Sequence, residues 1–250
     1  LGYPVIKLFE VRWNLAHAEK ALRPQKVSSG LLVHKSARVE YHPLGVIGVI
    51  CPWNFPLQNV LAPAIPAIMA GNGALVKVSE WTSWSAARIQ RIFDEALRAE
   101  GHSVDLVQLI TGYGPTGAAL VTSGVDKIVF TGSIGNGKRV LQASVDNLTP
   151  VILELGGKDP MIVCDDADLE QAVHNALVGT LTSAGQLCMA AERIYVFDAV
   201  HDEFVAMAAR IVGQLRQGNP LGELKVDVGA MTMPGQVDIV ERLVNDAIAK

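Results

Sequence analysis

Three side chains far apart in the 250-residue sequence carry the chemistry needed to work on a carbonyl: the Cys188 thiol, the Glu154 carboxylate and the Asn54 amide. Cys188 sits in SAGQLCMAAER (183–193), in a loop between a predicted helix and a predicted strand. Its small neighbours Ala184, Gly185, Ala190 and Ala191 leave the sulfur sterically open. A thiolate there would be the nucleophile, because the neutral thiol is weak. Cys51 and Cys164 end apolar runs, where structural burial is the usual role of a cysteine. Glu154 lies between Leu153 and Leu155 in VILELGG. Burying it would be costly unless it were paired or useful, and would raise its pKa toward the range of a general base. The alternative is a structural acid capping a turn. Asn54 is framed by Pro52 and Pro56 in PWNFP. Its amide could donate to an oxyanion, or simply close an Asx turn.

Further polar groups follow other predicted strands. Lys77 and Glu80 fall at and after the run ending in KVSE. An acid there can accept from both hydroxyls of an adenosine ribose and would repel a 2′-phosphate, which favours NAD over NADP. A surface pair at a strand end is the plain alternative. TGSIGNGK puts Gly132 and Ser133 where a helix should begin, offering free N–H groups and a positive dipole end to a phosphate. It lacks the full P-loop pattern, since Arg139 follows Lys138 where a magnesium-binding hydroxyl is required, so a phosphohydrolase ranks low. An ordinary tight turn remains open.

The elements that must position these groups are legible as short apolar runs separated by helical patterns. Strands are predicted at 45–51, 74–78, 106–110, 127–130, 151–155, 161–164 and 193–197. Helices are predicted over 82–100 with Thr82 or Ser83 as cap, from Pro115, over 169–183 with Asp168 and Gln171 as a capping box, over 199–216, and from Pro234. Residues 1–40 read as a polar helix and then a weakly alternating strand that pairs antiparallel. Strand–helix alternation with β-branched buried runs predicts an α/β fold, a parallel sheet covered on both faces. Ligands then bind beyond the carboxyl ends of the strands, where the groups above cluster.

Composition narrows the function classes. Half of the residues are hydrophobic, 18% are charged, and the net charge is −4 without a basic cluster, so nucleic acid is a poor partner. Three scattered cysteines fit a reducing compartment, which points to the cytoplasm, and dispersed histidines predict no metal site. The charge-free stretch 41–76 is interrupted by Pro52, Pro56, Pro63 and Pro66 and by Asn54, Gln58 and Asn59, which argues for a soluble core rather than a membrane span.

PWNFP, KVSE, FTGSIGNGK, LELGGKDP and GQLCMAAERIYV occur in this order from about Pro43 onward, and together they resemble the NAD(P)-dependent aldehyde dehydrogenase superfamily. The resemblance implies a Rossmann-like parallel sheet cofactor domain over 1–155, followed by part of an α/β catalytic domain over 156–250. Cys188 matches the family nucleophile, Glu154 the general base and Asn54 the oxyanion donor. Pro52, Trp53, Lys77, Glu80, Gly132 and Ser133 match cofactor contacts, as does the backbone of Leu155. Gly114 and Gly117 match glycines near the adenine, and Arg193 a structural arginine. The implied reaction oxidises a small-molecule aldehyde with NAD, in a protein that is a homo-oligomer at full length. Members are about twice this long, so the chain is expected to be truncated at both ends. The rivals are a coenzyme A-acylating dehydrogenase, whose kind generally lacks the base, and a non-catalytic dinucleotide-binding fragment.

Overall fold

The computed structural model describes residues 3–222 and 225–250. They divide into two compact units, Leu1–Leu155 and Gly156–Lys250. The first begins with a helix, α1 (Tyr3–Leu22), and a two-stranded antiparallel ribbon, β1 (Gln25–Val27) and β2 (Ala37–Val39). The strand-and-helix alternation follows: β3 (Val46–Ile50), α2 (Pro56–Met69), β4 (Gly73–Lys77), α3 (Ser83–Ala99), β5 (Val107–Ile110), α4 (Gly114–Thr122), β6 (Lys127–Gly132), α5 (Ile134–Ser144) and β7 (Val151–Leu155).

All four neighbouring strand pairs of this sheet are parallel, in the order β5-β4-β3-β6-β7. The two-residue period of a strand sorts its side chains between two cores. Ile47, Val49 and Cys51 face one side, packed with Val60 and Ala64 of α2 and with Ile89, Phe93 and Leu97 of α3. Ile50, Ile128 and Phe130 face the other, against Leu120 and Val121 of α4 and Val140 of α5. Runs buried on both faces need apolar residues at nearly every position, which is why these strands read as unbroken hydrophobic stretches.

Local chemistry sets the helix ends. Thr82 takes the N-cap position of α3 as expected, without a capping hydrogen bond from its side chain, while the Ser79 hydroxyl accepts from the Trp81 N–H at the head of a short 3-10 turn (Glu80–Thr82) that leads into α3. Ser133 caps α5 by accepting from the Asn136 N–H. Gly101, at φ +72°, ends α3 in a conformation that costs other residues energy.

The second unit pairs β8 (Asp159–Val163) with β9 (Ala191–Val196) in parallel. Helices α6 (Leu169–Leu181) and α7 (Asp198–Val212) pack around Val163, Val173, Ala176 and Phe204. Asp168 caps α6 by accepting from the Gln171 N–H at 3.1 Å. Helix α7 stops at Gly213, whose N–H bonds back to Ala209, so it is shorter than its apolar pattern predicted. The last helix, α8 (Pro234–Ala249), has no buried residue in this chain.

Ile128 is fully enclosed between the central strands and α4, whereas Ile92 on α3 is more than half exposed. Ile128→Ala should therefore cost about 2–5 kcal/mol, and Ile92→Ala should stay within about 0.5 kcal/mol, as read from urea midpoints.

Candidate active site

Because every strand of the first sheet runs the same way, every carboxyl end opens on one edge. The strand order reverses at β3: the chain builds outward to β5, then returns to place β6 on the other side. The loops after β3 and β6 diverge there, and in an open α/β sheet that crevice is where ligands bind. Pro52, Trp53 and Asn54 follow β3, while Gly132 and Ser133 lead from β6 into α5. The remaining expected cofactor residues lie on the same edge. Lys77 ends β4, Glu80 follows it, and Gly114 and Gly117 form the start of α4. A Cβ added to either of these last two glycines would meet no protein atom within 4 Å, so they present bare backbone.

Lys77 is buried, and its ammonium lies 3.4 Å from the Glu80 carboxylate, which also accepts from the Ser79 hydroxyl at 3.4 Å. The lysine stem is thus packed in the core while its charge is carried to the strand end, where the half-exposed carboxylate holds it. Sequence reasoning found this pair but not Ser79, which both caps the turn and orients the acid.

The loop carrying Asn54 is tied down from inside. Asn59, in the first turns of α2, donates its amide to Asn54 Oδ1 at 3.2 Å. Cys51 in turn donates its thiol to the Asn59 carbonyl at 3.0 Å. Pro63 explains this last bond: four residues beyond Asn59, it has no N–H to offer that carbonyl, and the thiol takes the place of the missing donor. Burial pushes the Cys51 thiol up to about 12, against the pull of the Lys77 ammonium, so the sulfur keeps its proton at neutral pH.

Glu154 differs from expectation. It is exposed rather than buried between leucines. Adjacent strand residues point to opposite faces, so Leu153 and Leu155 turn into the core beneath α5 while Glu154 turns away from it. Strand β7 is an edge, beyond the cover of α2 and α3. The register places Glu154 opposite Thr131, one residue past the Phe130–Ile50 pair, and so level with Cys51 two strands away. Two strand spacings are about 10 Å. The first unit thus brings the acid, the amide loop and the glycine-led helix start to one end of one sheet.

Cys188 belongs to the second unit, exposed in a turn between α6 and β9. Three successive residues before it, Ser183, Ala184 and Gly185, have φ of 55°, 57° and 74°. Only glycine adopts this left-handed region freely, so Ser183 and Ala184 store strain of the kind that collects at functional loops. A Cβ on Gly157 would stand 3.4 Å from the Cys188 carbonyl. The same stretch is tied to β9 by Arg193, which donates to the Lys158 carbonyl at 2.7 Å, and by the Lys158–Glu192 ion pair. Arg193 therefore has the structural role expected of it. Cys164 corrects its expected burial: it lies past the end of β8 in a turn and is exposed. A cleft of about 670 Å³ on the other side of the turn is lined by Ser183, Ala184 and Gln186 but not by Cys188. Among the described residues there is no group of three or more potential metal ligands, and no helix is long and apolar enough to cross a membrane.

Comparison with known proteins gives these geometries a context. The model of the aldehyde dehydrogenase family matches residues 7–250. The chain belongs to this family. It is 39% identical over 251 residues to a 4,4′-diapolycopene aldehyde oxidase of Methylomonas sp, covering 99% of this chain and 46% of that protein. Human aldehyde dehydrogenase 1A1 is 41% identical over 184 residues, 72% of this chain and 36% of its own length. Among solved structures, a betaine aldehyde dehydrogenase from Staphylococcus aureus in complex with NAD+ superposes with a TM-score of 0.85 at 30% identity, over 95% of this chain and 46% of its own. An NADP-dependent enzyme of E. coli gives 0.85 at 33% identity, over 94% and 48%. The chain spans about half the length of the curated relatives it matches. An α/β architecture with a parallel central sheet is thus common to this chain and these aldehyde dehydrogenase structures.

Iodoacetamide at pH 8 should label Cys188 and Cys164 but leave Cys51 unmodified until the protein unfolds, as read by peptide mass mapping. The Cys51 proton is also a stability determinant. With a folded pKa of about 12 against an ordinary 9.0, its contribution is fully present below pH 9 and is lost as pH rises toward 12. Cys51→Ala should accordingly flatten the fall of Tm between pH 9 and pH 11.

Proposed function

We propose that the full-length protein oxidises an aldehyde to a carboxylic acid with NAD, using Cys188 as nucleophile, Asn54 as oxyanion donor and Glu154 as general base. Residues 1–155 would form the dinucleotide-binding domain and 156–250 part of the catalytic domain. The observation that carries this reading is the carboxyl edge shared by the five parallel strands, along which Asn54, Glu154 and the expected cofactor residues are all found.

The residues present fit a dinucleotide. Glu80, braced by Lys77 and Ser79, would accept from the adenosine ribose and favour NAD over NADP. Gly132, Ser133 and the first turn of α5 would face the pyrophosphate, with Gly114 and Gly117 offering backbone near the adenine, and Pro52, Trp53 and the Leu155 main chain completing the contacts. Bound NAD supplies the hydride acceptor.

The protein's own groups then divide the work. The Cys188 thiolate adds to the aldehyde carbon, forming a C–S bond and an oxyanion. The Asn54 amide and the Cys188 N–H hold that oxyanion, which lowers the barrier because the charge develops only as the bond forms. Oxidation of the adduct leaves an acyl group on the sulfur as a thioester. Glu154 takes a proton from water, the resulting hydroxide breaks the C–S bond, and the acid departs while Cys188 regains its thiolate. An exposed carboxylate has the access to water that this step requires, which favours hydrolysis over transfer to coenzyme A. The same reading makes the protein a homo-oligomer acting in the cytoplasm, in keeping with three free cysteines.

An aldehyde panel assayed with NAD on the full-length protein tests this. Cys188→Ala should abolish oxidation, and Asn54→Ala should lower kcat about 100- to 1,000-fold. Glu154→Gln should allow a burst of reduced cofactor and then slow acyl release, with the rate of Cys188 alkylation unchanged. Wild-type turnover in the Cys188 variant would overturn the mechanism.

A further inference from the structure

We infer that Asn59 is a positioning residue for the oxyanion donor, fixing which end of the Asn54 amide faces the reacting carbonyl. The inference rests on the role proposed for Asn54 and goes beyond it. An amide presents oxygen at one end and NH2 at the other, two nearly isosteric groups of opposite function. As an oxyanion donor, Asn54 works only with its NH2 turned to the substrate, so some other group must hold its oxygen. Asn59 Nδ2 does so at 3.2 Å.

Asn59 is itself held at a second point. Pro63 leaves the Asn59 carbonyl without its helical donor, and the Cys51 thiol fills that place at 3.0 Å. Cys51 is anchored in the sheet, its N–H bonded to the Lys77 carbonyl at 3.0 Å. A continuous path of hydrogen bonds therefore runs from β4 through the end of β3 and the first turns of α2 to Asn54. The high pKa of the buried thiol keeps this donor intact throughout the neutral range. Donation into Asn54 Oδ1 also polarises that amide and strengthens its NH2 as a donor. This explains an otherwise costly choice, an asparagine and a proline in a helix whose buried positions are Val60, Ala64 and Ala67.

The test compares Asn54→Ala, Asn59→Leu and the double variant in the full-length protein. Asn59→Leu should lower kcat about tenfold, the worth of roughly one hydrogen bond, with KM for NAD and the rate of Cys188 alkylation unchanged. In the Asn54→Ala background the same change should cost less than about twofold, because the group it positions is gone. Asn59→Asp keeps the shape but offers only acceptors, which invites the Asn54 amide to turn round, and should reduce kcat at least as far. Independently of turnover, the Asn54 side-chain NH2 protons should exchange with water faster in Asn59→Leu than in wild type, as read by 15N-edited NMR. If Asn59→Leu retains wild-type kcat and exchange while Asn54→Ala is impaired, or if the two losses multiply, the positioning role is overturned and the role of Asn54 stands. If Asn54→Ala turns over like wild type, the oxyanion role itself falls, and this inference with it.

Discussion

Parallel pairing of five short strands is the constraint on which the rest depends. A parallel sheet sends every connection back across a face, so both faces acquire helices and every strand must be apolar on both sides. It also gathers all carboxyl ends, and the loops that follow them, along one edge. Residues as distant in the chain as Trp53 and Ser133 come to the same edge only because β3 and β6 pair directly, with Ile50 opposite Phe130. The reversal of strand order between them opens a crevice where backbone N–H groups and a helix start face outward together.

Three cysteines with the same intrinsic chemistry are separated by their surroundings. Cys51 is enclosed, kept protonated by desolvation, and spends its hydrogen on a carbonyl that a proline has left unpaired. Cys164 sits in an exposed turn just past the end of β8. Cys188 is exposed three residues past a run of left-handed residues. A chain that holds Ser183 and Ala184 at positive φ must be compensated by packing elsewhere in that unit. The ties from Arg193 to the Lys158 carbonyl and from Lys158 to Glu192 brace the neighbouring stretch on the far side of the turn.

The polar path through Cys51, Asn59 and Asn54 shows how a partly buried network can serve orientation rather than stability. Each bond exchanges contacts with water for contacts within the protein, a net worth of roughly 1 kcal/mol. What the path contributes is direction. It begins in the rigid sheet, crosses a helix whose own hydrogen-bond ladder is interrupted at the right carbonyl, and ends on an amide whose two faces have opposite chemistry. The interruption in α2, which by propensity alone is a defect, supplies the acceptor that joins helix to sheet.

Composition and periodicity determined the class of this protein. Runs such as GVIGVIC and KIVF are too apolar for a solvated strand, and their alternation with helical patterns admits little besides a covered parallel sheet. Cys188, Glu154, Asn54, Lys77 and Glu80 stood out as candidates in the sequence too, since the types of groups that handle carbonyls and riboses are few. Their surroundings were not. Glu154 reads as buried because its chain neighbours are leucines, but a strand turns neighbours to opposite faces, and only the sheet order reveals that β7 is an edge. Cys164 reads as a core residue because its run is apolar, but the strand ends one residue before it. Asn59 carries no local signal at all. Its importance depends on a proline four residues onward and a thiol eight residues back meeting at its carbonyl, and hydrogen bonds between a strand and a helix exist only after the two have packed.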